Sequence, residues 1–249
     1  MKLRFGASSF LNTAPLIEGL RERSDVTLIH LEPSKLMDEL LNNRIDSAFV
    51  PIVDYLSNDS VELIDGIGVA SLGNVKSVLL RLYKPLKSIK KIREDPASHT
   101  SNLLVKVLAR ELFEIDADIV NHETEEYDAE IVIGDKAFFK APKVIEEIDL
   151  SFAWKELTGL PFVFAVWVYK NGDSRGKEIA KIIRESLEIG KKRIETIASR
   201  YSKQLGLSES FCLEYLTRSV YFELGEDELE AINEFRQKII PFFNKELSR

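Results

Sequence analysis

The chain has 249 residues, enough for one large domain or two small ones, and 45% of them are hydrophobic and 30% charged, as in globular proteins with a sizeable core. Its net charge of −7 argues against a nucleic-acid partner, because proteins that bind polyanions usually carry a basic excess or a clustered basic face. No run approaches the roughly 20 apolar residues of a membrane span, and the N-terminus lacks a long apolar signal segment, so we expect a cytoplasmic protein without membrane contact.

The first third of the chain alternates between two kinds of segment. Short apolar runs predict strands, and apolar residues spaced three or four apart predict helices. The predicted elements are, in order, a strand at 3–6, a helix from 13, a strand at 26–31, a helix from 33, a strand at 48–50, a strand and turn at 63–72, and a strand at 77–83.

The composition shifts at Lys84-Pro85-Leu86, after which the alternation resumes. The predicted elements of this part are a helix from 98 to about 113, strands at 119–120, 131–133 and 163–168, a long helix with an apolar stripe at 179–197, and a last helix at 229–242. Alternating strands and helices of this kind are typical of α/β architecture.

We therefore predict an α/β fold with two lobes. Residues 1–83 and 166–249 would form the first lobe, and residues 84–165 would form a second lobe inserted into it. A lobe built from both ends of the chain, joined to the other by two extended crossovers, is the layout of the type II periplasmic-binding-protein-like fold. Lobes of that fold close on their ligands by a hinge.

Four small polar clusters follow predicted strands or open a predicted helix. They are Ser8–Thr13, Pro51, Ser98–Ser101 and Gly134-Asp135. Ligands of open α/β sheets bind beyond the carboxyl ends of strands, and helix openings bind carboxylates through their unpaired N–H groups. Taken alone, Ser98 and Thr100 fit ordinary helix caps better; the coincidence of all four clusters favours a ligand site.

Other chemistry has little support in the sequence. His30, His99 and His122 show no zinc-ligand spacing, and there is no nucleophile elbow, phosphate-binding loop or dinucleotide fingerprint. We expect neither a metal nor an organic cofactor. The single cysteine, Cys212, excludes an intramolecular disulfide framework, and its helical spacing to Tyr215 favours a buried core thiol.

Six motifs occur along the chain in a fixed order. They are SFLNTAP at 9–15, VPIVDY at 50–55, VKSVLL at 75–80, DPASHTS at 95–101, IGD at 133–135 and WKELTGLPFVFAVW at 154–167. In content and order they resemble the chorismate dehydratase family of the futalosine route to menaquinone. The most specific of them is TGLPFVFAVW, whereas the C-terminal helices carry no recognisable motif.

The resemblance has two departures. Phe10 stands where the family usually has tyrosine, which removes a hydroxyl but keeps the ring. His99 stands where arginine is expected, which removes a permanent cation near the proposed carboxylate site. A histidine supplies such a charge only when it is protonated.

The resemblance implies a lyase that works without metal or organic cofactor. Chorismate, a small dianion, would lose water to give 3-[(1-carboxyvinyl)oxy]benzoate. Our hypothesis is that Asn12 and Ser77 contact the reacting ring from opposite sides of one reaction centre in the first lobe, with Asn12 hydrogen-bonding the departing hydroxyl. Ser98, Thr100 and Ser101 would hold a carboxylate. The other expected substrate-binding residues are Ser9, Thr13, Pro51, His99 and Asp135.

The catalytic base and the competing functions stay open on the sequence. The enolpyruvyl carboxylate of chorismate itself is one candidate base, and Asp135 is the protein alternative, although it also fits a structural turn. A cytoplasmic small-acid sensor of the same fold and the related dihydroxynaphthoate synthase are alternative functions. The motif LNTAP at 11–15 favours the dehydratase over the synthase. The oligomeric state is not predicted.

Overall fold

The computed structural model describes residues 2–246, in which eleven strands alternate with helices as the sequence predicts for an α/β fold. The strands are β1 (Leu3–Ala7), β2 (Val26–His30), β3 (Ser47–Pro51), β4 (Val61–Ser71), β5 (Val78–Leu82), β6 (Lys91–Arg93), β7 (Asp118–Val120), β8 (Ala129–Ile133), β9 (Glu146–Asp149), β10 (Phe162–Lys170) and β11 (Tyr221–Glu223). The helices are α1 (Ala14–Ile17), α2 (Pro33–Leu41), α3 (Ile52–Leu56), α4 (His99–Glu111), α5 (Leu150–Thr158), α6 (Gly176–Lys192), α7 (Ile194–Leu205), α8 (Glu209–Glu214) and α9 (Glu226–Glu246).

The chain divides into two compact units. The first contains the chain up to Ala70 together with Val163–Gly225, and the second contains Ser71–Phe162 together with the chain from Glu226 onward. Each unit has its own sheet and its own core.

The sheet of the first unit has the order β11-β4-β10-β3-β1-β2. Strand β1 pairs in parallel with β2 and β3, whereas β10 is antiparallel to β3. The buried rings of Phe5 and Phe49 lie against Trp167, with centroids 6.1 and 5.4 Å from its ring. Helix α6 packs so closely on α1 that a Cβ atom at Gly190 would lie 1.9 Å from the carbonyl oxygen of Pro15, so only glycine fits there.

The sheet of the second unit has the order β7-β6-β8-β5-β9. Strand β6 is parallel to β7 and β8, whereas β5 is antiparallel to β8 and β9. The rings of Trp154, Phe162 and Phe235 pack edge-on, with centroids 5.0–5.7 Å apart, and this cluster anchors α9. The ammonium group of Lys238 on α9 also lies 2.6 Å from the carboxylate of Glu111 on α4.

The predicted lobe boundaries need correction. The prediction assigns residues 71–83 and 226–249 to the first lobe, but residues 71–83 and 226–246 belong to the second compact unit, and residues 247–249 lie outside the described residues. Strand β5 belongs there because it hydrogen-bonds to β8 and β9, and α9 belongs there because Phe235 packs on Trp154 and Phe162.

The predicted long helix at 179–197 is also wrong in one respect. It is divided at Arg193, whose φ of −110° and ψ of 18° end α6 before α7 begins. The buried residues Leu187 and Ile197 continue the apolar stripe across the break, so the periodicity alone does not reveal it. The prediction that Cys212 is a buried thiol is confirmed.

Candidate active site

The polar loop after β1 is organised by a chain of side-chain hydrogen bonds. The hydroxyl of Thr13 donates to Oδ1 of Asn12 at 3.3 Å and lies 2.7 Å from the hydroxyl of Ser8. Because the single proton of Thr13 goes to Asn12, Ser8 must be the donor in the shorter contact. Ser8 and Thr13 are buried, and Asn12 is half-buried. The amide of Asn12 is therefore oriented by two residues that sequence analysis had placed in the same polar cluster.

The same loop is tied to the C-terminal helices of the first unit. The phenol of Tyr201, on α7, donates to the carbonyl oxygen of Ser9 at 3.1 Å, whereas the side chain of Ser9 is exposed. Sequence analysis missed this role of Tyr201, because a tyrosine on an apolar helix stripe gives no sign of its polar partner. Ser9 thus contributes its backbone to the structure of the loop.

Pro51 lies at the same edge of the first sheet as this loop. It is the last residue of β3 and pairs with Ala165 of β10. Because β1 and β3 run in parallel, their carboxyl ends share one edge of the sheet, where ligands of α/β proteins bind. Two of the four predicted clusters therefore meet on the first unit.

Ser77 lies beside the end of β8 in the second unit. Its carbonyl oxygen accepts a hydrogen bond from the backbone N–H of Gly134 at 2.8 Å, and the register pairs Val78 with Ile133. Asp135 is the next residue and is half-buried in the short helical turn that Gly134 begins with a φ of 70°. The hydrogen bond between Gly134 and Ser77 thus brings Ser77 and Asp135 close together.

The prediction that Ser77 lies in the first lobe with Asn12 is wrong. Ser77 precedes β5, and β5 is hydrogen-bonded into the sheet of the second unit. The side chain of Ser77 is only 1% exposed.

The half-buried carboxylate of Asp149, at the end of the edge strand β9, holds the backbone before Ser77. Oδ2 of Asp149 accepts the N–H of Lys76 at 2.7 Å, and Oδ1 accepts the N–H groups of Ser151 and Phe152 at 3.1 and 3.2 Å as the cap of α5. Lys76 has a φ of 64°, a left-handed conformation that is costly for a residue with a side chain. Burial raises the pKa of Asp149, and the N–H hydrogen bonds oppose that rise. Sequence analysis missed Asp149, since its contact with Lys76 joins residues that are distant in sequence.

The opening of α4 is capped by Ser98. Its hydroxyl oxygen accepts the N–H of Ser101 at 3.1 Å and donates its proton to the hydroxyl of Ser101 at 2.9 Å. Ser98, Thr100 and Ser101 are all buried, and His99 is exposed. The capping explanation is therefore right for Ser98, while Thr100 lies inside the helix. A thirteen-residue helix presents the positive end of its dipole here.

Trp154 and Trp167 have packing roles in the two cores. The indole N–H of Trp154 donates to the carbonyl of Pro161 at 2.9 Å, and both tryptophans are fully buried among aromatic rings. No group of three or more His, Cys, Asp or Glu residues within the described part of the chain is arranged to hold a metal ion. Within residues 2–246, each helix is too short or too polar to cross a lipid bilayer.

Solved structures of the periplasmic-binding-protein class share this fold. A protein of Archaeoglobus fulgidus is similar with a TM-score of 0.73 at 16% identity, covering 95% of this chain and 96% of that one. A Candida albicans protein described as having the generic periplasmic binding protein fold gives 0.63 at 13% identity, covering 97% and 90%. The aliphatic sulphonate binding protein of Escherichia coli gives 0.59 at 12%, covering 99% and 88%. The predicted fold class is thus confirmed.

Sequence relatives agree with the family resemblance. Two curated proteins named chorismate dehydratase are each 28% identical to this chain. The Thermus thermophilus protein aligns with 95% of this chain and 95% of its own length, and the Campylobacter jejuni protein with 93% and 95%. The family model described as menaquinone biosynthesis matches residues 3–240. The chain therefore belongs to the menaquinone biosynthesis family.

Proposed function

We propose that this protein is a chorismate dehydratase that forms 3-[(1-carboxyvinyl)oxy]benzoate and water in the futalosine route to menaquinone. The observation that carries the proposal is the alignment of two proteins named chorismate dehydratase over 93–95% of the chain. The cytoplasmic location expected from the sequence is part of the same proposal.

The reaction is a 1,2-elimination that ends in an aromatic ring. A base removes the ring proton beside the ether oxygen, and the electron pair is delocalised through the diene to the ring carboxylate. The neighbouring carbon then loses its hydroxyl, which leaves with a proton as water, and the ring becomes aromatic. With so large a driving force, the protein mainly has to orient the leaving group, bind two carboxylates and exclude water.

Asn12 is proposed to hydrogen-bond the departing hydroxyl. Its amide carbonyl accepts from Thr13, which orients the side chain, and an amide does not titrate near neutral pH. Its role is therefore orientation and leaving-group stabilisation.

Ser77 is proposed to contact the reacting ring. The backbone of Ser77 is held by the hydrogen bond from Gly134 and by the contact between Asp149 and Lys76. The position from which its hydroxyl projects is therefore fixed. Asp135, beside it, is the protein alternative to the substrate's own enolpyruvyl carboxylate as the base.

The opening of α4 is proposed to hold a carboxylate of chorismate. The hydroxyl of Ser98 already caps the helix, so the recognition falls to the first-turn N–H groups and to the hydroxyls of Thr100 and Ser101. His99 is exposed at this opening and adds a positive charge only when it is protonated.

The proposal is tested by incubating the purified protein with chorismate in the presence of a chelator and following the products by mass spectrometry. A product lighter than chorismate by one water, formed at the same rate with and without chelator, is the expected result. Activity that the chelator abolishes would contradict the cofactor-free reaction. Binding of chorismate without any turnover would instead favour a small-acid sensor.

A further inference from the structure

The carboxylate of Asp95 joins the opening of α4 to the end of β8. The residue is only 1% exposed. Its Oδ2 accepts the backbone N–H of Ile133 at 3.1 Å and lies 2.6 Å from Nζ of Lys136, and its Oδ1 accepts the backbone N–H of Ala97 at 3.1 Å. A single buried side chain therefore contacts the segment before Ser98 and the strand that leads to Gly134.

The backbone of Asp95 is held by the helix as well. Asn102, in the first turns of α4, accepts the N–H of Asp95 through Oδ1 at 3.1 Å and donates from Nδ2 to the carbonyl of Asp95 at 3.1 Å. The N–H of Ser98 donates to the same carbonyl at 3.1 Å. The opening of α4 therefore holds the backbone of Asp95, and the side chain of Asp95 in turn holds the segment that leads into α4.

We propose that Asp95 is a positioning residue for substrate binding: it fixes the carboxylate-binding opening of α4 relative to the Ser77–Gly134 corner of the second unit. This inference rests on the proposed function for the identity of the substrate. Asp95 acts through the backbone groups it holds, so its loss changes where the first-turn N–H groups and the hydroxyls of Thr100 and Ser101 lie.

Asp128, at the opposite end of the paired strands β6 and β8, offers a matched control. Asp128, just before β8, accepts the N–H groups of Lys90 and Lys91 at 2.8 and 3.0 Å and lies 2.5 Å from Nζ of Lys84. Asp95 and Asp128 each hold two backbone N–H groups and one lysine, and both are buried. They differ in location, because Asp128 lies at the amino end of β8 and Asp95 at its carboxyl end.

The test compares Asp95→Asn with Asp128→Asn. Each change keeps the side-chain shape and replaces one acceptor oxygen with a donor, so both variants should lose thermal stability. Only Asp95→Asn should raise the KM for chorismate, by roughly 10–100-fold as expected for a displaced binding group, with kcat changed much less. Asn102→Ala, which leaves no buried charge behind, should raise KM in the same direction and serves if Asp95→Asn does not fold.

Chorismate affinity measured by calorimetry on all four proteins separates this inference from the proposed function. A wild-type protein that binds chorismate without turning it over defeats the proposed function, whereas weaker binding by Asp95→Asn than by Asp128→Asn still supports the positioning role. Equal affinity and equal KM in the Asp95, Asn102 and Asp128 variants overturn the inference. A fall in kcat alone in Asp95→Asn overturns it too, and so does a wild-type protein with no affinity for chorismate.

Discussion

The two polar helix openings of this protein are built in different ways. In the first unit, Ser8, Thr13 and Asn12 hydrogen-bond one another through side chains, and α1, which follows, has only four residues and no side-chain cap. In the second unit, Ser98 caps a helix of thirteen residues. The helix dipole stabilises an anion only near the first turn, and it is the sum of the aligned peptide dipoles of the whole helix. The second opening, with thirteen helical residues behind it, is therefore the better carboxylate site.

The difference predicts how each region responds to substitution. In the proposed function the first opening acts through the side-chain amide of Asn12, so removing that amide should affect turnover with little effect on stability. The second opening is proposed to act through backbone groups that side chains hold in place, so substitutions there should alter binding and stability together. Buried polar groups hold both regions in place, and the sequence motifs alone do not show that the two regions are held in different ways.

The largest effect is expected for Asn12→Ala. Loss of a hydrogen bond to the departing hydroxyl should lower kcat by roughly 10²–10³-fold, by analogy with a lost oxyanion contact. The thermal midpoint should change little. Steady-state turnover and thermal unfolding measured on the same preparation check this, and a less stable variant with normal turnover of its folded fraction would mean that Asn12 only satisfies the turn.

Ser77→Ala should lower turnover by roughly 10²-fold on the same argument. The hydrogen bond from Gly134 reaches the backbone carbonyl of Ser77, so it survives the substitution. Ser151→Ala is the matched control, because Ser151 is a buried serine of the same unit whose hydroxyl donates to the carbonyl of Ser71 at 3.3 Å. It should cost about 1 kcal/mol of unfolding free energy and leave turnover unchanged; equal turnover in both variants contradicts the role of Ser77.

Ser98→Ala should destabilise the protein by about 1 kcal/mol through loss of the helix cap and should also raise the KM for chorismate. Ser208 caps α8 in the same way, accepting the N–H of Phe211 at 3.2 Å, and Ser208→Ala is the control for the cap alone. Kinetics and unfolding of the pair distinguish binding from capping. An unchanged KM in Ser98→Ala would leave Ser98 with a structural role only.

His99→Arg should lower the KM for chorismate by roughly two- to fivefold, the equivalent of an exposed ion pair of up to 1 kcal/mol. The arginine supplies the permanent cation that the family pattern leads us to expect, and His99 is exposed, so the longer side chain fits without repacking. The gain should shrink as salt is added, because salt screens exposed charges. A KM that rises or does not respond to salt would contradict a carboxylate at this opening.

The smallest effect concerns acid stability at the amino end of β8. The hydrogen bond from Lys84 holds the pKa of Asp128 at about 2, below its ordinary 3.8. A depressed folded-state pKa stabilises the protein above about pH 4, and that stability is lost as the pH falls towards about 2. Because Lys84 is largely exposed, the effect should not exceed about 1 kcal/mol. Urea unfolding of wild type and Asp128→Asn at several pH values should show a difference at pH 7 that disappears near pH 2; a difference that persists there would contradict the assignment.

Strong periodicity made most elements of the fold predictable from the sequence. Strands β1, β3 and β8 are short apolar runs, and α4 repeats its buried leucines at helical spacing, so their type follows from local pattern. Strand β9 escaped prediction because its first residues, Glu146 and Glu147, are exposed on a sheet edge. Its polar sequence carries no alternation to detect.

Features set by long-range packing were not predictable from the sequence. The membership of α9 in the second unit depends on Phe235 meeting Trp154 and Phe162, which are distant in sequence. Asp95 and Asp149 were likewise missed as organising residues, since each also accepts a backbone N–H group from a segment distant in sequence, Ile133 for Asp95 and Lys76 for Asp149. The positions of the candidate residues in the motifs were visible, but what holds them in place was not.

The proposed 1,2-elimination can be tested with chorismate that carries deuterium on the ring carbon that bears the ether oxygen. The purified protein should convert it to a product that is one water lighter and has lost the deuterium. Turnover should be slower than with unlabelled chorismate if proton removal limits the rate. Labelled chorismate recovered unchanged, or a product that retains the deuterium, would contradict the proposed elimination.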